Sequence, residues 1–498
     1  MLVLLVLLFR LAQSDNTVTF LTGLGKITGL SSTVNINNVS YNYHVFKRVP
    51  FAKPPIGDLR FKEPVPHGMW SGTLNATTFG PSCMQPPIND PTVIPDVSED
   101  CLFLNIYTPE SSITSVKKSV MIWIHGGGYN FGQGMGYPGE YMSVLGDVII
   151  VTINYRLGVF GFFSTTDDVA PGNYGLWDQK LAIKWVHDNI DSFGGDQKSI
   201  TIFGESAGGW SVGLQILNPT NKGLFQRAIA QSGIGNSLVA LSPVARSTAV
   251  RIANALNCSD SLSDITMECL RNRTATELSK ASFKAANQQL ALYEFSFIIA
   301  YAPVIDGRFL TDHPVKMMNS LNGSSIDFFR SLDVIIGACE GEGSLLMGNL
   351  FSKHYNISAG IPSSYLCDHI LPSFPVQFYN NNTRIVSAVC KKYKTTESIE
   401  QQSMQAINFY GDAFFYSPAI QSLNVHSRGN HITKTFQYMI QRLINDQSNM
   451  VPWFKEAGHG YEVIYLFPWK PLASTEAKEL SKILILYWTN FAKTGYVL

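Results

Sequence analysis

Charge is scarce in this chain of 498 residues: 37 Lys and Arg stand against 37 Asp and Glu, only 15% of the total. The balance leaves no basic surplus, and no Lys/Arg cluster interleaved with aromatics is present, so nucleic acid is not an expected partner. Repeats at a solenoid period and low-complexity tracts are missing. Beyond the N-terminus no run reaches the 18 or so apolar residues that a membrane helix needs. Cysteine is limited to seven residues without a C-x-x-C, which argues against a zinc site or a thioredoxin-like motif. No Pro/Ser/Gly-rich linker divides the chain, and one large domain over 15–498 is expected although length alone would allow about three.

Apolar content, by contrast, is high at 45%, enough for a large core. The first residues, Met1 to Ser14, read MLVLLVLLFRLAQS, a short apolar run followed by small residues at Ala12 and Ser14. That pattern predicts a signal peptide and a secreted or secretory-lumen protein. Seven N-x-S/T sequons, at Asn38, Asn75, Asn257, Asn272, Asn322, Asn356 and Asn381, fit the same route. In an oxidising compartment Cys83 with Cys101 and Cys258 with Cys269 would close short loops, each worth about 3 kcal/mol through the unfolded chain. Cys339, Cys367 and Cys390 are left without an assigned pairing.

Short, nearly unbroken apolar runs cover Ser119 to Ile124, Asp147 to Asn154, Ser199 to Phe203, Arg227 to Gln231, Asp333 to Cys339 and Ile432 to Gln441. Unbroken hydrophobicity marks a strand buried on both faces. Helical spacing lies between them, as in Tyr174 to Ile190. The alternation predicts an α/β fold with a mostly parallel sheet covered by helices. Leu241 to Ser331 and Leu345 to Arg428 read as helical insertions over one edge.

Gly204-Glu205-Ser206-Ala207-Gly208 fits the G-x-S-x-G nucleophile elbow. Alone the pattern is weak, because chance supplies it roughly once in four chains of this length. Here it sits between a predicted strand and a plausible helix, Ala207 to Leu217, and the turn would lift Ser206 above the sheet. His125-Gly126-Gly127-Gly128 follows the strand ending at Ile124, and successive glycines leave main-chain N–H groups unobstructed, as an oxyanion hole requires. Gly127, Gly128 and Ala207 are the expected donors.

A serine hydroxyl needs a base, and the base needs a carboxylate that holds its tautomer. Among the histidines after Ser206, His459 stands in a glycine-flanked loop, Ala457-Gly458-His459-Gly460, although periodicity alone does not select it. The acid should follow the strand Asp333 to Cys339, and the residues leave Glu340 and Glu342 equal. Cys339 ends a buried strand and reads as an inert core thiol.

Further motifs carry a resemblance over Gly25 to Gly495. They are Pro50-Phe51-Ala52-Lys53-Pro54-Pro55 with Leu59-Arg60-Phe61, Glu99 to Asn105, Asn154-Tyr155-Arg156, Gly175-Leu176-Trp177-Asp178-Gln179, and Phe203 to Gly209. Together with the glycine loop they resemble the type-B carboxylesterase and cholinesterase family. The resemblance implies an α/β-hydrolase fold and a serine esterase that acts on a small-molecule ester without metal or cofactor. It places Ser206 as nucleophile, Glu342 as acid and His459 as base, and it puts the family's two common disulfides on Cys83–Cys101 and Cys258–Cys269. Two departures stand out. The first disulfide loop has no tryptophan to cradle a quaternary ammonium, and His125 is closer to general carboxylesterases. Glu205 therefore reads equally as a cation-favouring or a structural carboxylate. Family members usually continue past the pattern at Tyr487 to Gly495, where retention signals, anchors or oligomerising tails sit, so destination and assembly stay open. The alternatives are a non-catalytic adhesion protein on the same fold, a choline-ester hydrolase or a lipase.

Overall fold

The computed structural model describes residues 17–86, 96–113, 116–293, 297–320, 323–347, 356–373, 383–429, 432–441 and 451–498. Met1 to Ser14, where a signal peptide is expected, lies outside them. Eleven strands form the central sheet: β1 (Thr17–Thr22), β2 (Gly25–Ile36), β3 (Val39–Pro50), β4 (Thr73–Asn75), β5 (Phe103–Pro109), β6 (Lys118–Ile124), β7 (Ile149–Ile153), β8 (Gly195–Glu205), β9 (Arg227–Gln231), β10 (Asp333–Cys339) and β11 (Thr435–Ile440). Their order across the sheet is β1-β2-β3-β5-β7-β6-β8-β9-β10-β11, with β4 beside β2. From β7 to β11 every pairing is parallel, whereas β1, β2, β3, β5 and β7 pair antiparallel.

The unbroken apolar runs have the cause expected of them except at Ile432 to Gln441, where the strand formed, β11, lies at the sheet edge with its residues half-buried or exposed. In β6, Val120, Ile122 and Ile124 enter one core with Leu176, Ile183 and Val186 of helix α1 (Tyr174–Asn189). Met121 and Trp123, on the opposite face, enter a second core with Ile485, Trp488 and Phe491 of a C-terminal helix (Thr475–Thr494). Side chains alternate along a strand, so covering both faces demands apolar residues throughout. Of the strands before β6, β1 to β4 lack this signal because much of their length is exposed or half-buried, whereas β5 is buried but its run is interrupted by the polar Asn105 and Thr108. Sequence periodicity therefore found β6 onward and passed over β1 to β5.

The parallel part has one reversal of order. The chain passes from β6 to β7 on one side, then crosses to β8 on the other. Loops leaving β6 and β8 diverge there, opening a crevice at the carboxyl ends of the strands. The insertion between β9 and β10 contributes helix α2 (Ala275–Leu290), capped by Thr274 and Glu277, whose side chains satisfy each other's exposed amides. Cys83–Cys101 and Cys258–Cys269 are bonded, as are Cys367 and Cys390, and Cys339 is a buried free thiol.

Candidate active site

Four chain segments meet at the carboxyl ends of the parallel strands. Ser206 follows β8 and stands directly before the helix Ala207–Gln215, with φ 57° and ψ −122°. A non-glycine residue held at positive φ is strained, and surrounding structure must hold it there. Its amide donates to Gln231 O at 2.9 Å, and its carbonyl accepts from Trp210 N at 2.8 Å. Gly208 allows the helix to approach β6, since a Cβ there would lie 2.0 Å from Ile124 O. Ala207 opens the helix, so its amide belongs to the first-turn N–H groups that lack an intrahelical acceptor.

The glycine loop leaves β6. Gly127 has φ 101°, and a Cβ on it would meet Phe131 O at 2.0 Å, so only glycine closes this turn. His125 is buried, stacks on Tyr155 with ring centroids 4.4 Å apart, and is pushed down to about 4 by its burial. It is a neutral packing group at the base of the loop.

Glu342 follows β10 and is fully buried. Its Oε2 accepts from His459 Nδ1 at 2.5 Å, while Oε1 accepts from Ser232 Oγ at 2.5 Å and Cys339 N at 2.7 Å. Glu340, the other candidate, is bound through its backbone amide to Ile440 O. The loop carrying His459 is tied to the acid's turn twice more: Gly341 N donates to Ala457 O at 2.8 Å, and His459 N donates to Ser344 Oγ at 3.0 Å. Gly127, Gly128, Ser206 and His459 all line one cavity of ≈ 680 Å³. Nε2 of His459 makes no hydrogen bond, and Glu205 Oε1 lies 3.2 Å from it.

The sequence is similar to those of known proteins. A family model described as the Carboxylesterase family matches residues 14–496. The chain is 33% identical over 491 residues to the medium-chain fatty acyl-CoA hydrolase precursor of Anas platyrhynchos, covering 95% of this chain and 84% of that one. The chain belongs to the carboxylesterase family. Carboxylesterase 1C of Rattus norvegicus is likewise 33% identical over 491 residues, with the same shares covered. Carboxylesterase 1E of Mus musculus is 34% identical over 494 residues, 95% of this chain and 84% of its own. This family member is a carboxylic ester hydrolase.

Electrostatics around the carboxylesterase site follow from three buried carboxylates, Glu205, Glu342 and Glu462, gathered about one imidazole. Burial opposes charge on His459, but Glu342, Glu205 and Glu462 outweigh it, and the imidazole is raised to about 9. Glu205 is pushed up to about 8, chiefly by burial, with His459 opposing and the other two carboxylates reinforcing.

Sequence reasoning missed two contributors. Gln85 is buried and clamps the glycine loop: its Oε1 accepts from Gly132 N at 2.9 Å, and its Nε2 donates to Gly132 O and to Cys83 O, each at 3.0 Å. The first disulfide is thereby connected to the loop bearing Gly127 and Gly128. Glu462 accepts from Gln231 Nε2 at 3.2 Å and from Tyr438 OH at 3.0 Å. A single buried glutamate or glutamine carries no periodic signal, and its partners lie far away in sequence.

Proposed function

We propose that ester hydrolysis here proceeds through an acyl-enzyme on Ser206. His459 takes the hydroxyl proton as Ser206 attacks the ester carbonyl, Glu342 holds the Nδ1–H tautomer, and the amides of Gly127, Gly128 and Ala207 receive the oxyanion. The alcohol leaves with the proton from His459, and water repeats the cycle to release the acid. The observation that carries this reading is the 2.5 Å bond between Glu342 Oε2 and His459 Nδ1, made at the cavity that Ser206 also lines. Ser206→Ala should remove ester turnover by several orders of magnitude, and an organophosphonate should label the parent protein at Ser206. Turnover within tenfold of the parent would defeat the assignment.

The cavity also favours a substrate class. Trp210, Phe283, Leu290, Phe297 and Ile298 give it an apolar wall, and Glu205 is the one carboxylate among the described residues that line it. Its volume suits a medium-length acyl group, the substrate named for the Anas relative. Across p-nitrophenyl esters, kcat/KM should rise from acetate to medium-chain acyl groups and show no preference for butyrylthiocholine. A maximum at acetate would reject this substrate class.

The same proposal takes 15–498 as one domain that follows a secretory leader and leaves the cell or remains in the secretory lumen. Its support is three disulfides and the exposure of the described sequon residues Asn38, Asn75, Asn257, Asn272 and Asn356. No helix among the described residues is long and apolar enough to cross a membrane. Expression in secreting cells should yield protein in the medium or lumen that shifts in mass on glycosidase treatment.

A further inference from the structure

Cys339 is a buried thiol that the hydrolytic steps do not use, yet each of its polar groups is engaged at the site. It ends β10, three residues before Glu342. Its amide donates to Glu342 Oε1 at 2.7 Å, its thiol donates to Glu462 Oε2 at 2.9 Å, and its carbonyl accepts from Tyr416 OH. The residue thus reaches two carboxylates in opposite directions. Glu342 holds His459 directly, and Glu462 lies three residues after His459, fully buried. Glu462 Oε1 already takes donors from Gln231 and Tyr438, so the thiol is the side-chain donor on its other oxygen.

We propose that Cys339 is a positioning residue of the esterase: its thiol fixes the carboxylate of Glu462 behind His459, while its amide holds Glu342. The proposal rests on the triad reading above. A carboxylate in a dry interior is held in place by the donors to its oxygens, and an oxygen that loses its donor no longer fixes the group. Loss of the thiol would strip Oε2 of its donor, let the carboxylate turn away from His459, and weaken one of the negative charges that favour the protonated imidazole.

Glu205 and Glu342 are ion-paired with His459. Tyr438 and Cys339 bond Glu462, Tyr416 stands over Cys339 with Glu340 and Glu456 beyond it, and Tyr137 and Tyr155 face Glu205. Among the described residues, no salt bridge from Lys or Arg reaches Glu205, Glu342 or Glu462.

The test is the pH profile of kcat/KM on a p-nitrophenyl ester for the parent, Cys339→Ala, Cys339→Ser and Glu462→Gln. Activity requires neutral His459, so its acidic limb reports the imidazole. Cys339→Ala and Glu462→Gln should both move that limb to lower pH, by about half a unit or more, whereas the Cys339→Ser hydroxyl still donates and stays at the parent value. Merely loosened packing would lower activity and melting temperature without moving the limb. An unmoved limb in Cys339→Ala, or an equal shift in Cys339→Ser, overturns the proposal. Should Cys339→Ala fail to fold, a shift in Glu462→Gln together with a parent-like Cys339→Ser supports it, and any other pairing refutes it. Organophosphonate labelling at Ser206 separates the two levels: a labelled enzyme with an unmoved limb defeats only the role of Cys339, whereas absent labelling defeats the triad reading itself.

Discussion

His459 Nε2 lies 3.2 Å from Glu205 Oε1 without forming a hydrogen bond, so the nitrogen that would take the serine proton faces a carboxylate. Two buried groups this close titrate as a pair. Glu205 favours the imidazolium, so activity should be lost as pH falls through a value above that of an ordinary imidazole. In Glu205→Gln the attraction is removed, and the acidic limb of kcat/KM should move to lower pH. A limb at the parent position would mean that Glu205 does not act on His459.

Glu340 and Glu342 are two residues apart and chemically identical, but only Glu342 reaches Nδ1. Glu342→Gln should lower kcat by about 10⁴-fold, because the amide no longer enforces the tautomer. Glu340→Gln, changing a half-buried side chain that makes no bond to His459, should stay within a few-fold. Steady-state kinetics on the two variants decides the matter, and comparable losses would remove Glu342 from its assigned place.

How far the site could be read beforehand depended on whether a residue's role has a local signature. The elbow around Ser206 and the glycine loop are backbone devices, written as glycines at fixed places, and the structure puts both at the single reversal of strand order. The parallel strands were legible because burial on two faces forces unbroken apolar runs. Glu342 and Glu340 could not be separated by composition, since what distinguishes them is the direction each leaves a turn after β10. Cys339 read as an inert thiol for a related reason: the carboxylate it serves is 123 residues away. Gln85 belongs to the same class, being recognisable only once folding has brought it to Gly132, 47 residues along the chain.

Gln85 offers a test of the oxyanion loop that leaves its glycines intact. It bonds both the amide and the carbonyl of Gly132, and Phe131, one residue earlier, donates to Gly127 O at 3.1 Å. Gln85→Met keeps the volume and removes every bond. A misplacement near 1 Å at such a site costs about 100-fold. We expect kcat to fall by between tenfold and that figure, roughly, with KM nearly unchanged. A trifluoromethyl ketone, whose adduct needs the oxyanion donors, should lose affinity in parallel. Equal loss in kcat and KM would point to a collapsed pocket instead.

The sulfur arrangement makes the last prediction. Cys367 and Cys390 join the segment Tyr365–Ile370 to the helix Thr383–Tyr393, a pairing that spacing alone left open. With Cys83–Cys101 and Cys258–Cys269 also closed, Cys339 is the one thiol left. Thiol titration of the denatured, unreduced protein should therefore find one reactive group, and native protein should find none because Cys339 is buried. Three groups in the denatured titration would mean that Cys367 and Cys390 are not bonded. The bond spans 23 residues, and closing a loop of that size is worth about 3 kcal/mol in the unfolded-chain account. Cys367→Ser with Cys390→Ser should accordingly shorten the half-life of activity at elevated temperature, while kcat at 25 °C holds, because neither residue touches Ser206, Glu342 or His459.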